Sequence, residues 1–201
     1  MLFRSMSSNE NVAKKGKTAF GSPCKLQLPL DREQVKTLRA GDYCLLTGEM
    51  YTLRDAGHMR LLEELDARGD NSLPYSLEGQ TIFYAGPTPS SAGRPFGAIG
   101  PTTASRMDFA APQLHDAGIA ATVGKGTRSQ AIKDACVRNG AVYFVTVGGA
   151  AAYLAKCITS EEVLAYDDLG TEALRRIEVV DFPVFVGIDV QGSDIYESRE
   201  R

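Results

Sequence analysis

No apolar run in the 201 residues approaches the roughly 20 needed to cross a bilayer as a helix, so a membrane-spanning segment is not expected. Charge of one sign is equally scarce. Lysine and arginine number 22 against 25 aspartate and glutamate, a formal charge of −3 that would gather neither nucleic acid nor an anionic membrane. Cysteine occurs only as Cys24, Cys44, Cys136 and Cys157, each in a different segment and no two in C-x-x-C spacing. A self-contained zinc or iron–sulfur site is therefore not expected. Cys44 lies in an apolar run and Cys136 in a helical one, where a thiol serves as a small core residue, and a reduced, cytoplasmic protein is the natural reading. The opening stretch MLFRSMSSNENVAKKGKTAF lacks the continuous apolar segment of a secretory signal. Residues 1–25 read as a flexible leader, with a mitochondrial presequence as the minor alternative. A nucleophile elbow, a metal-binding histidine pair and an internal repeat are all missing.

What is present suits one ordinary globular domain over residues 26–196, followed by a charged tail at 197–201: 43% of residues are hydrophobic and 23% charged. In KLQLPL, Lys25, Gln27 and Pro29 alternate with Leu26, Leu28 and Leu30 as in an edge strand. Asp31, with Gln34 three residues on, caps a short helix that Gly41 and Asp42 stop. A buried strand from Tyr43 closes at Gly48. Thr52 then caps a helix whose apolar stripe is Met59, Leu61, Leu62 and Leu65. Thr81–Ala85 is a strand, and a Pro/Gly/Ser-rich stretch from Pro87 to Gly100 is long enough to be functional. Thr102 or Thr103 opens a helix that ends near Gly118. Ile119–Val123 is a strand, Thr127 and Gln130 box a helix that stops at Gly140, and Ala141–Val147 is a strand. The helix AAAYLAK, a possible strand in 158–166, a helix over 171–176 and two strands (177–180 and 182–190) complete the chain. Strands alternating with helices mark an α/β fold.

Three segments place cations and hydroxyls at strand ends or helix starts, where free amides and the helix dipole favour carboxylates and phosphates. In YTLRDAGHMR, Arg54 and His58 are four apart, with Asp55 beside them. Arg54 can grip a carboxylate in two-point fashion, and His58 can transfer a proton or bond a ligand. A plain surface helix is the alternative. In GPTTASRMD, Thr102 and Arg106 lie one turn apart, and the alternative is a capped helix with a solvent-facing arginine. In GKGTRS, Lys125 sits between glycines. This segment fails the G-x-x-x-x-G-K-[ST] phosphate-loop pattern, and VGGAAA fails G-x-G-x-x-G, so nucleotide binding has little support.

The stretches GDYCLLTGEMYTLRDAGHMRLLEEL, GQTIFYAGPTP, GAIGPTTASRMD, GKGTRSQAIKDACVRNGAVYFVTVGGAAAYLAK and LRRIEVVDFPVFVGIDVQGSDIY, in this order, resemble the C-terminal domain or separate β subunit of class I fumarases and tartrate dehydratases. The resemblance implies a single swivelling β/β/α domain, its mostly buried mixed sheet flanked by helices. It implies a heteromer, a dimer of αβ units, in which a partner α subunit carries a [4Fe–4S] cluster that this chain does not bind. It implies a hydro-lyase of the tricarboxylic acid cycle, the reversible hydration of fumarate to L-malate, with this chain inactive and iron-free alone. The open iron would bind the substrate's carboxylate and hydroxyl as a Lewis acid. By position, Arg54, Arg106 and Lys125 match substrate-carboxylate contacts, Thr102 a substrate-contacting threonine, and His58 an active-site histidine, with Asp55 orienting Arg54 or His58. L-tartrate dehydration and a non-catalytic carboxylate-binding or assembly module are the alternatives.

Overall fold

The computed structural model describes residues 22–89 and 97–197. The leucine alternation produces the first strand as expected: β1 (Cys24–Gln27) buries Leu26 and exposes Lys25 and Gln27. Asp31 caps α1 (Arg32–Thr37), its carboxylate accepting from the Gln34 amide at 2.9 Å. The helix closes before Gly41, because Leu38 turns extended and buries its side chain.

The next strand does not stop at Gly48. β2 covers Tyr43–Thr52, and Gly48 lets two backbones meet: its φ is +120°, and a Cβ there would lie 2.6 Å from the Leu28 carbonyl oxygen. Since Thr52 stays in the strand, it cannot cap α2 (Asp55–Arg68), and Arg54 takes the N-cap position without a side-chain cap bond. The buried face of α2 is Gly57, His58, Leu61 and Leu65, an i, i+3, i+7 series that leaves the expected Met59 exposed.

β3 (Thr81–Phe83) follows. The single helix expected from Thr102 or Thr103 to Gly118 is two pieces, a 3₁₀ segment at Ala104–Met107 and α3 (Ala111–Asp116). Next come β4 (Ala121–Gly124), α4 (Gln130–Asn139) and β5 (Val142–Val145). α4 stops at Gly140 as expected, but its N-cap is Ser129, not Thr127. A short α5 (Ala151–Leu154) leads to β6 (Ile158–Ala165). The helix expected over 171–176 gives way to a 3₁₀ segment at Asp167–Glu172 and the start of β7 (Leu174–Ile188).

β7 is one strand rather than two. Leu46 pairs Phe182 and Gly48 pairs Val179, so Val180 and Asp181 together face Thr47, and Asp181 has φ +49°. This bulge flips the alternation: Ile177 and Val179 point to the same core as Phe182, Val184 and Val186. The break in period is real, but the chain does not leave the sheet.

The strand order is β1-β2-β3-β4-β5-β7-β6, and an additional β2–β7 pairing closes five strands into a barrel. β2 to β5 run parallel, while β7 is antiparallel to both β2 and β5. Alternate residues fill two cores. Cys44, Leu46, Met50, Phe83, Val123, Phe144 and Val184 pack inside the barrel. Tyr51, Ile82, Tyr84 and Tyr143 point outward to meet Leu61, Leu65, Leu114 and Ile132 of the helices. Of the leader expected over residues 1–25, positions 1–21 lie outside the described residues, while Cys24 and Lys25 belong to β1. Residues 90–96 of the Pro/Gly/Ser stretch and 198–201 of the expected tail also lie outside them. No helix among the described residues is long and apolar enough to cross a membrane.

Candidate active site

Parallel strands put their C-terminal ends at one rim, and in α/β sheets that rim is where ligands bind. The motif residues gather there. Arg54 follows β2, Thr102 lies on the connection after β3, and Lys125 directly follows β4. Because β7 is antiparallel, its beginning arrives at the same rim, where Arg175 pairs with Thr52. This brings Glu172 into the site.

Side chains join the first half of the cluster. Asp55 Oδ1 lies 2.7 Å from Arg106 Nη2, and its Oδ2 lies 3.8 Å from Arg54 Nη2. Arg54 Nη2 also stands 3.6 Å from Glu172 Oε1. The other Glu172 oxygen accepts from the Ala56 amide at 2.7 Å. Glu172 thus satisfies the first turn of α2 from 116 positions away and replaces the expected Thr52 cap. Arg54 and Asp55 are about three-quarters buried, whereas the Arg106 side chain is 53% exposed.

Backbone bonds join the second half. The Thr102 amide donates to the Tyr84 carbonyl at 2.7 Å. The Lys125 amide donates to the Thr102 carbonyl at 3.2 Å, and the Ala104 amide donates to the Lys125 carbonyl at 2.8 Å. The two loops run side by side because residue 124 is glycine: a Cβ there would lie 2.8 Å from the Ala104 Cβ. The expected threonine cap is absent, since Thr103 at the N-cap position makes no side-chain cap bond. Lys125 is exposed, and Thr102 is half-buried. Arg54 and Arg106 stand against Asp55 and Glu172, and Arg175 against Glu161, so the exposed Lys125 leaves an excess of positive charge at this rim that suits an anionic ligand.

His58 is not at the surface of the site. It is fully buried beneath it, its ring edge-on to Tyr84 with centroids 5.2 Å apart. Both its amide and its ring Nδ1 lie 2.8 Å from the Arg54 carbonyl oxygen, so the Nδ1–H donates there. Burial, with the charge of Arg128 as a smaller contribution, lowers its pKa to about 4, and the ring is neutral. Its Nε2 has no hydrogen-bond partner among the described residues. In this position His58 bonds the Arg54 backbone through both its amide and its ring.

Motif spacing did not single out Glu172, Asp108 or Arg128. No residue near Glu172 forms a motif with the segments it serves. Asp108 and Arg128 stand inside quoted motifs, but their pairing, Arg128 Nε to Asp108 Oδ1 at 2.6 Å, is a tertiary contact. The cysteines do not form a donor set for a [4Fe–4S] cluster. Cys24 and Cys44 are neighbours on β1 and β2, Cys136 is buried in α4, and Cys157 follows α5. Among the described residues no three His, Cys, Asp or Glu side chains converge to hold a metal ion.

A family profile described as the fumarase C-terminus matches residues 5–199. Over 154 residues the chain is 42% identical to the anaerobic class I fumarate hydratase of Escherichia coli, an alignment covering 76% of this chain and 28% of that protein. It is 39% identical over 176 residues to fumarate hydratase 2 of Leishmania major, covering 85% of this chain and 30% of that one. The chain therefore spans less than a third of these fumarate hydratases. A putative L(+)-tartrate dehydratase subunit beta from Methanocaldococcus jannaschii is 35% identical over 174 residues, covering 84% of this chain and 88% of that relative.

Proposed function

The chain belongs to the fumarase C-terminus family, and from that premise we propose that it is the β subunit of a class I hydro-lyase that reversibly hydrates fumarate to L-malate. The observation that supports this reading is the rim that carries both the Arg54–Asp55–Arg106–Glu172 ion-pair cluster and the backbone-linked loops of Thr102 and Lys125. A four-carbon dicarboxylate carries two negative charges, and removal of a proton beside a carboxylate builds further charge on that group. Arg106 and Lys125, both exposed, bind the carboxylates, and Arg54 completes the set from below. Asp55 keeps Arg54 and Arg106 from drifting apart, and it yields Arg106 to the substrate. Thr102 contacts the substrate at the position where a proton moves. His58, neutral and buried, fixes the Arg54 backbone.

The four thiols do not fit a [4Fe–4S] cluster, so in this reading the cluster and its cysteines belong to an α subunit that completes the active site. The relative named as a beta subunit supports that division. It also favours L-tartrate as the second substrate to test. Assembly as a dimer of αβ units in the cytoplasm follows from the same reading, and four free cysteines suit a reducing compartment.

The test is anaerobic co-expression with a cluster-bearing α subunit, followed by a fumarate hydration assay. The single chain is expected to be inactive and iron-free, and the complex active. Arg106→Ala or Lys125→Ala in the complex is expected to lower kcat/KM by roughly 10- to 150-fold, the size of one charged hydrogen bond. Iron and turnover in the purified single chain would refute the shared site. A stable complex that turns over tartrate but not fumarate would replace the substrate.

A further inference from the structure

The proposed substrate contacts Thr102, Arg106 and Lys125 ride on two loops that backbone bonds join side by side, and an ion pair between buried Arg128 and partly buried Asp108 ties those loops a second time. Asp108 ends the 3₁₀ segment that carries Arg106. Its Oδ1 accepts from Arg128 Nε at 2.6 Å, and its Oδ2 accepts from the Ser129 amide at 2.7 Å. One carboxylate therefore grips the second loop twice, by a side chain and by the backbone at the start of α4.

Arg128 is the other half of the tie. Its side chain is completely buried, yet none of its contacts is to a proposed substrate-binding side chain. The guanidinium carbon stands 5.3 Å from the Tyr84 ring centroid and 4.8 Å from that of Tyr143, and Nη1 reaches Thr122 Oγ1 at 3.4 Å. Both tyrosines lead within one bond to a site loop. The Tyr84 carbonyl accepts from the Thr102 amide at 2.7 Å, and the Tyr143 hydroxyl donates to the Gly126 carbonyl at 2.9 Å, one residue beyond Lys125.

A buried ion pair is a poor stabiliser, because desolvating two charges cancels most of their attraction, and an apolar pair of similar volume often serves stability as well. What an apolar pair cannot do is hold three polar groups on two loops at hydrogen-bond length. Arginine suits this because its planar fork bonds while its face stacks on aromatic rings.

We infer that Arg128 and Asp108 are positioning residues that set the distance between Lys125 on one loop and Thr102 and Arg106 on the other. They make the rim a clamp of fixed width for a short dicarboxylate. This rests on the proposed function for its substrate, but the loop-tying role is measurable without turnover.

The experiment uses the full chain, alone and assembled with its cluster-bearing partner, as wild type, Arg128→Lys, Asp108→Asn and the double variant Asp108→Leu/Arg128→Met. The double variant removes both charges together, so it remains foldable if a single variant does not. In the assembled enzyme, each variant is expected to raise KM for fumarate about tenfold or more while kcat changes by less than about threefold. Lysine is not expected to rescue arginine. In the chain alone, exchange of the Ala104, Lys125 and Ser129 amides is expected to speed up at least tenfold, with α2 amides unchanged. A lower Tm with unchanged KM and unchanged loop exchange would mean that the pair is only structural and would overturn the inference. If the assembled wild type turns over neither fumarate nor tartrate, the functional reading fails. Loop exchange then decides the positioning role by itself, faster exchange supporting it and unchanged exchange refuting it.

Discussion

Acid should destabilise this protein through its two histidines. His58 and His115 are the only histidines in the chain, and both are buried. Each ring Nδ1 lies 2.8 Å from a backbone carbonyl oxygen, Arg54 for one and Ile119 for the other, and neither Nε2 has a hydrogen-bond partner among the described residues. Burial lowers both pKa values from 6.5 to about 4. Between those values the unfolded chain binds protons that the folded chain refuses, so stability is complete above pH 6.5 and falls as pH drops toward 4. From pH 7 to pH 5 the linkage relation gives a loss of roughly 2 kcal/mol per ring, about 4 kcal/mol together. That is a large fraction of an ordinary 5–15 kcal/mol stability, and at about 2–4 °C per kcal/mol it lowers Tm by roughly 8–16 °C. The assay is thermal and urea unfolding of the full chain at pH 7, 6 and 5, for wild type, His58→Gln, His115→Gln and the double variant. Each single variant should remove about half of the pH dependence, and the double variant nearly all of it. A wild-type Tm that moves by less than about 4 °C, or an acid loss that persists in the double variant, would refute the reasoning. The same physics bears on function: in the assembled enzyme the pH–rate profile should show no limb near 6.5 from His58.

Other outcomes follow from packing and exposure. Gly124→Ala would place a methyl group 2.8 Å from the Ala104 Cβ and 3.1 Å from Tyr84 Cδ2, which should cost about 1–3 kcal/mol in urea unfolding and push the two site loops apart. Leu46→Ala, deep inside the barrel, should cost about 2–5 kcal/mol, read by the same method. Burial pushes the Cys44 and Cys136 thiols up to about 12, so a thiol reagent should label Cys24 and Cys157 in the native protein and all four cysteines only after denaturation.

The local parts of the fold were legible in the sequence because local physics decides them. Asp31 caps α1, Gly140 ends α4, and the leucines of β1 point inward, since each depends on neighbours within a few residues. The grouping of cations beside glycines and threonines likewise marked loops that the fold carries to one rim, because strand ends and helix starts are written in adjacent residues. The misplaced elements have a common cause. Thr52 and Thr127 carry good capping side chains, but α2 is capped by Glu172 from 116 positions away and α4 by Asp108 from 21. The bulge at Val180 and Asp181 looked like the end of one strand and the start of another, because only the pairings on either side, Leu46 with Phe182 and Gly48 with Val179, keep the chain in the sheet.

What the sequence determined by itself was the α/β alternation, the family and the cast of charged residues. What tertiary structure alone decided was their arrangement. Barrel closure through β2 and β7 brings Glu172 to the same rim as Arg54, and the packing of α2 buries the His58 side chain. The reason is that a side chain's exposure, partners and charge environment depend on segments distant in sequence, and no local spacing rule encodes which of them will meet.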